Sequence, residues 1–517
     1  MKIQVLLINP SISSKTQNPA VTEVIRCSFP MSLGHIAGYL EANGYPVRIH
    51  DEQLAPLGPE EIRRQLNGLR QADTRIVVGL TTLTVTSGRV YELARMFKEI
   101  DPDVATMTGG IHASVLPQEG LDTGVIDFVV RGEGELTTVE LLQALSQEGE
   151  LAEIDVSGIA GISYRKGSAP VHNPARELIS DLSTLPPFAY HLFEKNRQHY
   201  SGFSSIQSSR GCPHACIFCS QRSLTGKRYR TVSQERVLGD IDLLVNKYGA
   251  TTIRFLDDNI AASKKHIMPL LSAIVARKYH TRVSFEAPMR GDNLDEELLD
   301  KLKAANFSLV TFGLETGSEQ LMKVINKGET VAQVVRAIRM TAAKGITVGT
   351  TLIFGLPTET RQDRWRTIRL VFSLPLDSAR FNILTPYPDT PLYKDLMERG
   401  EKVTVLPGWI NFSVQYMWEN DDLPYVPPGT DKYELILTTM FANLAFYLRP
   451  QGLRKLFTKS VAGGNVVHLP KRWYMSKYLL SMLRVLFYLL QRFLRVGGKM
   501  ILRKLVGSGD QRSATKA

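Results

Sequence analysis

Arg210-Gly211-Cys212-Pro213-His214-Ala215-Cys216-Ile217-Phe218-Cys219 places three cysteines within eight residues. The chain has four cysteines in all, the fourth being Cys27. A disulfide scaffold spreads its cysteines and pairs them in even numbers, so three clustered thiols read as metal ligands. A CxxxCxxC loop can ligate three irons of an iron–sulfide cube and leave the fourth iron open. Gly211 and Pro213 suit a tight loop after a strand. The competing reading is a zinc ion with His214 as fourth ligand. His214 lies too close in sequence to Cys212 and Cys216 to share one tetrahedral ion comfortably with all three thiolates.

Outward from this loop, residues 204–390 alternate apolar strand runs with amphipathic helices. Strands are expected at Ser204–Ser208, Thr252–Leu256, Arg282–Glu286, Leu309–Leu314, Val348–Phe354 and Arg380–Leu384. Helices such as Ser233–Tyr248 and Asp295–Ala305 fill the gaps. Six βα units predict a partial barrel, with chemistry where strands end and loops begin. Toward the N-terminus, strands are expected at Ile3–Asn9, Val47–Asp51, Arg75–Thr81, Val104–Gly109 and Asp127–Arg131. Helices Leu33–Asn43 and Gly88–Ile100 separate them. That alternation predicts a doubly wound, Rossmann-like parallel sheet, which binds ligands at the carboxyl ends of its strands. The loops there are Asn9-Pro10-Ser11, Thr81-Thr82, Gly109-Gly110-Ile111-His112 and Arg131-Gly132-Glu133-Gly134-Glu135. Between the two units runs a connector whose stiff point is Leu185-Pro186-Pro187. The layout is thus α/β, with units at 1–145 and 201–395 joined by a connector at 146–200. A helical C-terminal region at 396–469 and a basic amphipathic helix with a disordered tail at 470–517 complete it.

Net charge is +11. Eleven Lys/Arg and one acidic residue, Asp510, lie from Pro470 onward, so the rest of the chain is about neutral. On a helical wheel of 475–495, Lys477, Arg484, Arg492 and Arg495 share a narrow face with Ser481, Tyr488 and Gln491. Leucines, methionines and Phe493 fill the remainder, and Gly497-Gly498 is read as an interruption. A broad apolar face beside a narrow cationic one fits an anionic membrane surface, contacted through 475–505. A helix docked on the protein's own body is the rival reading. The apolar face is too broad for a nucleic-acid arm, so no nucleic acid is expected. MKIQVLLINP lacks the pattern of a signal peptide, and no uncharged run reaches the roughly 18 residues of a membrane span. The expected address is cytoplasmic, at the inner face of the membrane if the tail attaches.

The cysteine string with Phe218 before its last cysteine resembles the signature of the radical S-adenosylmethionine (SAM) superfamily. Further similar strings follow in order: Phe255-Leu256-Asp257-Asp258-Asn259, Gly313-Leu314-Glu315-Thr316-Gly317-Ser318, Phe354-Gly355-Leu356-Pro357-Thr358-Glu359-Thr360, and Thr385-Pro386-Tyr387-Pro388-Asp389-Thr390-Pro391-Leu392-Tyr393. The resemblance covers about 1–400. It is strongest to the branch with an N-terminal cobalamin-binding domain, which holds C-methyltransferases and the anaerobic Mg-protoporphyrin monomethyl ester cyclase.

The resemblance implies a [4Fe–4S] cluster on Cys212, Cys216 and Cys219, whose open iron takes SAM. Reduction by a donor such as flavodoxin or ferredoxin then yields methionine and a 5′-deoxyadenosyl radical. It implies SAM contacts from Phe218, Asp257, Asp258, Glu286, Arg290 and Glu315. Cobalamin contacts fall on Asn9, Thr81, Gly109, Gly110, His112, Gly132 and Glu133. No Asp-x-His-x-x-Gly string occurs in this domain, so no histidine is expected to ligate cobalt from below. Cys27 is read as a small, partly buried residue. The implied activity is methyl transfer to an unactivated carbon of a lipid-like or secondary-metabolite substrate. A radical oxidative cyclisation is the alternative. A non-catalytic iron–sulfur or cobalamin sensor would not need the run of strand-end strings through Pro391.

Overall fold

The computed structural model describes residues 1–12, 27–413, 418, 420–450 and 487–503. Its N-terminal sheet has seven strands: β1 Lys2–Asn9, β2 Val47–Asp51, β3 Thr74–Thr81, β4 Ala105–Gly109, β5 Phe128–Val130, β6 Ile162–Lys166 and β7 Ala169–His172. They lie in the order β2-β1-β3-β4-β5-β6-β7. The first five are parallel, and β6 and β7 are antiparallel additions. Val5, Leu6, Leu7 and Ile8 are all buried, as a parallel strand covered on both faces requires. Helix α1 (Met31–Ala42) covers one face; α2 (Pro59–Leu69) and α3 (Ser87–Ile100) cover the other.

The expected connector is therefore not a plain strap. Its hairpin β6–β7 extends the sheet, pairing Val130 with Ile162. After Pro187, Phe188 packs against Gly34 of α1. Phe29, Phe188, Tyr190, Phe193, Tyr200 and Phe203 form an aromatic knot between the two sheets, with Phe188 and Tyr190 centroids 4.4 Å apart.

The second sheet has β8 Ser205–Ile206, β9 Thr252–Phe255, β10 Ser284–Met289, β11 Phe307–Glu315, β12 Thr347–Phe354 and β13 Ser378–Ile383. All neighbours are parallel and in sequence order. Among the described residues β8 and β13 do not pair, so the six strands form an open partial barrel. Residues 407–412 return to the first sheet: Trp409 Nε1 donates to Glu119 Oε2 at 2.9 Å, and Gly408 abuts Gly88.

Residues 487–503 are one helix, running through Gly497-Gly498 rather than stopping there. Nothing crowds either glycine, so each costs the helix only its propensity penalty. The helix docks on the body through its polar side. Arg492 and Lys499 pair with Asp421, Arg503 with Asp431 at 3.2 Å, and Tyr488 donates to Trp418 O at 3.2 Å. Its opposite side exposes Phe487, Leu490, Leu494, Ile501 and Leu502. Residues 470–486 and 504–517 of the expected amphipathic helix and tail lie outside the described residues. No described helix is long and apolar enough to cross a membrane.

Candidate functional site

The order β2-β1-β3-β4-β5 reverses direction between β1 and β3, and a doubly wound sheet opens its ligand crevice beyond the strand ends at such a point. A cavity of about 340 Å³ lies there. From the sheet it takes Leu7, Gly79, Thr81, Met107, Gly109, Gly110, Val130, Gly132 and Glu133. From the barrel it takes Gln207, Arg210, Gln221, Leu224 and Thr225, which flank the cysteine loop on both sides. The wall at the strand ends is built mostly of small and apolar groups, which lets a ligand approach the backbone closely. Of the expected cobalamin contacts, Thr81, Gly109, Gly110, Gly132 and Glu133 line this cavity.

Asn9 and His112 do not. The Asn9 amide donates to Asp51 Oδ1 at 3.0 Å. His112 is fully buried, with Nε2 3.3 Å from Glu119 and its ring edge-on to Trp409. It therefore pins residues 407–412 to the sheet. The reason is local: residues 111–115 form a short helix that turns the His112 side chain away from the strand ends. Conversely His35, on α1, is in the cavity wall. Burial, then Arg210 and Arg236, push its imidazole down to about 3, so it is neutral. A histidine inside an otherwise apolar helix run was the available signal for it.

The cysteine loop is held on several sides. Gly211 has φ 87°, and a methyl group there would overlap the Arg228 carbonyl oxygen. Ile217 N–H donates to Ile325 O at 3.1 Å, and Leu392 N–H to Ile217 O at 3.0 Å. The three thiols are free and half-buried, and burial pushes each of them up. Beside Cys216, Lys327 and Arg290 oppose that rise. Among the described residues no three Cys, His, Asp or Glu side chains converge on a point where one ion could sit. That geometry does not suit the zinc reading with His214. A cube of iron and sulfide takes its thiolates at separate corners, and three free thiols on a short pinned loop fit that demand. Phe218 packs partly buried against the core.

The carboxylates expected at SAM divide into two groups. Asp257 is buried and spent on the chain: it accepts from Ser208 N–H at 3.2 Å, Ser208 Oγ at 2.9 Å and Ser209 Oγ. Glu286 is buried and paired with Arg254 at 2.8 Å. Both are thus bonded to neighbouring strands of the chain. Asp258 stays at the loop, with Thr225 Oγ1 3.3 Å away, and burial pushes its carboxyl up. Glu315 ends β11 at a register shift, with φ 58°, and accepts from Lys327 Nζ at 2.8 Å. Arg290 Nη1 donates to Lys327 O at 2.7 Å and Nη2 to Asp292 at 2.8 Å. Lys327 and Glu329 were not foreseen; the string Asn326-Lys327-Gly328-Glu329 carries no motif that marks it. The Phe354–Thr360 string is a turn and a cap: Glu359 accepts from Gly355 N–H at 2.6 Å, and Thr360 caps the helix Arg361–Ser373.

The cavity and the loop are joined by buried charge. Glu133 bridges Arg210 at 3.1 Å and Arg230 at 2.8 Å, and Glu135 meets Arg210 at 2.7 Å. Glu133 also accepts from Ile179 N–H at 2.8 Å.

The sequence matches the radical SAM superfamily over residues 206–371 and the B12 binding domain over residues 18–142. An uncharacterised methyltransferase of Pyrococcus horikoshii is 30% identical, covering 88% of this chain and 95% of its own. The chain belongs to the cobalamin-binding branch of the radical SAM superfamily. It is 27% identical to the anaerobic magnesium-protoporphyrin IX monomethyl ester cyclase of Rubrivivax gelatinosus, over 83% of this chain and 76% of that one. The radical SAM methyltransferase TsrM from Kitasatospora setae, solved with cobalamin and a [4Fe–4S] cluster bound, shares the fold. Its TM-score is 0.66 at 20% identity, over 86% of this chain and 96% of that one. This radical SAM enzyme accordingly works with a [4Fe–4S] cluster, SAM and cobalamin.

Proposed function

We propose a cobalamin-dependent C-methyltransferase that acts on an unactivated carbon of a lipid-like or secondary-metabolite substrate. The observation that carries it is the shared cavity, walled by the B12-domain strand ends on one side and by the flanks of the cysteine loop on the other. Cys212, Cys216 and Cys219 hold the cluster. Asp258, Arg290 and Glu315 take SAM, a reading supported by their position around the loop that carries Phe218. Thr81, Gly109, Gly110, Gly132 and Glu133 take cobalamin. When bound, these groups supply a carbon-centred radical and a transferable methyl group. The chain's own residues supply alignment, since the Arg210–Glu133–Arg230 network sets the distance between the two binding walls, and placement governs such reactions. The methyltransferase relative, 95% of whose length is matched, favours methyl transfer over oxidative ring closure.

The test is anaerobic reconstitution with cobalamin, a flavodoxin- or ferredoxin-type donor and methyl-labelled SAM, offered to lipid and metabolite extracts. A product carrying the label supports the reading. 5′-Deoxyadenosine with an unlabelled, oxidised product favours ring closure. No 5′-deoxyadenosine overturns both.

An anionic membrane at the inner face is the proposed partner surface. The exposed side of 487–503 is apolar, while Lys471, Arg472, Lys477 and Arg484 precede it with no acidic residue between. The geometry differs from the simple wheel, because Arg492, Lys499 and Arg503 face Asp421 and Asp431. Flotation with anionic liposomes should fall on Leu490→Ser with Leu494→Ser; equal recovery of both rules out this face as the anchor, and a wild type that does not float rules attachment out.

A further inference from the structure

The turn 325–329 brackets the cysteine loop through three contacts. Ile217 N–H bonds to Ile325 O, Asn326 Nδ2 donates to Ala215 O at 3.1 Å, and Cys216 Sγ lies 4.0 Å from Lys327 O. Asn326 at φ 49° and Gly328 at φ 73° bend the turn tightly. The Lys327 side chain is 8% exposed, with Nζ 2.8 Å from Glu315 Oε1 and 3.7 Å from Glu329 Oε1. Gly313 makes the room: a Cβ there would come within 2.8 Å of Nζ. A glycine in β11, a left-handed Glu315 and a two-step turn thus cooperate to seat one ammonium against Glu315 and Glu329, on the turn whose backbone touches Cys216. Desolvating an ammonium is costly, and a buried ion pair must recover that cost. Holding Glu315 alone is a weak reason for that cost, because an apolar pair of similar volume packs as well.

A cluster gains one negative charge on reduction, and its potential responds to nearby charge and burial. A buried cation carried on the turn that brackets the cysteine loop is poorly screened, so its field reaches a cluster held there. We infer that Lys327 is a positioning residue that seats Glu315 and, by its fixed charge on the turn that touches Cys216, raises the reduction potential of the cluster held by Cys212, Cys216 and Cys219. The inference rests on the cluster reading above and deepens it. One electron arrives from the external low-potential donor; Lys327 keeps its proton, and no other bond changes.

The test is an anaerobic redox titration of the cluster-loaded, SAM-free enzyme, read by EPR of the reduced cluster. Lys327→Met with full iron should show about a tenfold lower reduced-to-oxidised ratio at the wild-type midpoint. Lys327→Arg should stay within about twofold. Glu315→Gln, nearly isosteric and retaining the cation, should shift the midpoint the opposite way. A wild-type midpoint in iron-replete Lys327→Met overturns the inference. If that variant fails to load iron, a wild-type midpoint in Glu315→Gln overturns it instead. A wild-type enzyme with no reducible cluster sinks the cluster reading itself, which is a distinct result.

Discussion

Asp257 illustrates how a family string divides its labour. Of the adjacent carboxylates, Asp258 remains beside the cysteine loop while Asp257 anchors Ser208 and Ser209, the residues that lead into Arg210. Burial pushes Asp257 up to about 6, against the bonds from Ser209 and Ser208 that pull it down. Its folded value therefore lies above the ordinary carboxylate value near about 4. The sign follows: its contribution to stability is fully present below that ordinary value and is lost as pH rises through about 6. Asp257→Asn, which stays neutral, should flatten the dependence of melting temperature on pH between about 4 and 6 relative to wild type. Parallel curves for the two proteins would contradict this. From sequence, Asp257 and Asp258 were equivalent neighbours. Alternation on a strand end sends adjacent side chains to opposite sides, and only the fold shows which side holds the loop.

At the scale of elements, strand and helix positions were legible because apolar periodicity encodes them. β2 and the body of β12 appear where alternation put them, and α3 lies within a residue of its expected start. The hairpin β6–β7 was not legible, since Ile162–Lys166 and Ala169–His172 are short and largely exposed at one end. Gly497-Gly498 departs from expectation for a different reason. Helix propensity disfavours glycine, yet tertiary contacts from Arg492, Val496 and Lys499 carry the helix across the pair. Gly497→Ala with Gly498→Ala should stabilise this helix by about 1 kcal/mol per site. Hydrogen exchange of amides 492–503 would show greater protection; unchanged exchange would mean the helix end is set by something other than propensity.

At the scale of the whole molecule, a hydrophobic core runs through both sheets, a second lies on the other face of the N-terminal sheet, and a buried charge network crosses between the sheets. Glu133 is the central anion, with Arg210 on the cysteine-loop side and Arg230 on the strand that pairs with Ser209 and Arg210. Removing one partner of a buried pair costs about 3–5 kcal/mol, because the other charge is stranded. Glu133→Ala should therefore lower the urea midpoint and reduce both cobalamin retention and iron loading. Glu140→Ala, at a half-exposed pair with Arg176, should change none of these by much. Loss of cobalamin alone, with normal iron, would show that the two walls are held independently.

The sequence by itself determined the chemistry: three cysteines on a glycine-bearing loop, two alternating βα units, and the family to which their strings belong. These features are local in the chain, so spacing and periodicity expose them. Only the tertiary structure decided which charges face the site. Asp257 and Glu286 are bonded by residues distant in sequence and the His112 ring packs on Trp409, while His35 and Lys327 are brought in from an apolar helix and an unmarked turn. The physical reason is burial. A charged or polar side chain in a core must find its partner there, and that partner comes from packing across the sheets rather than from position along the chain.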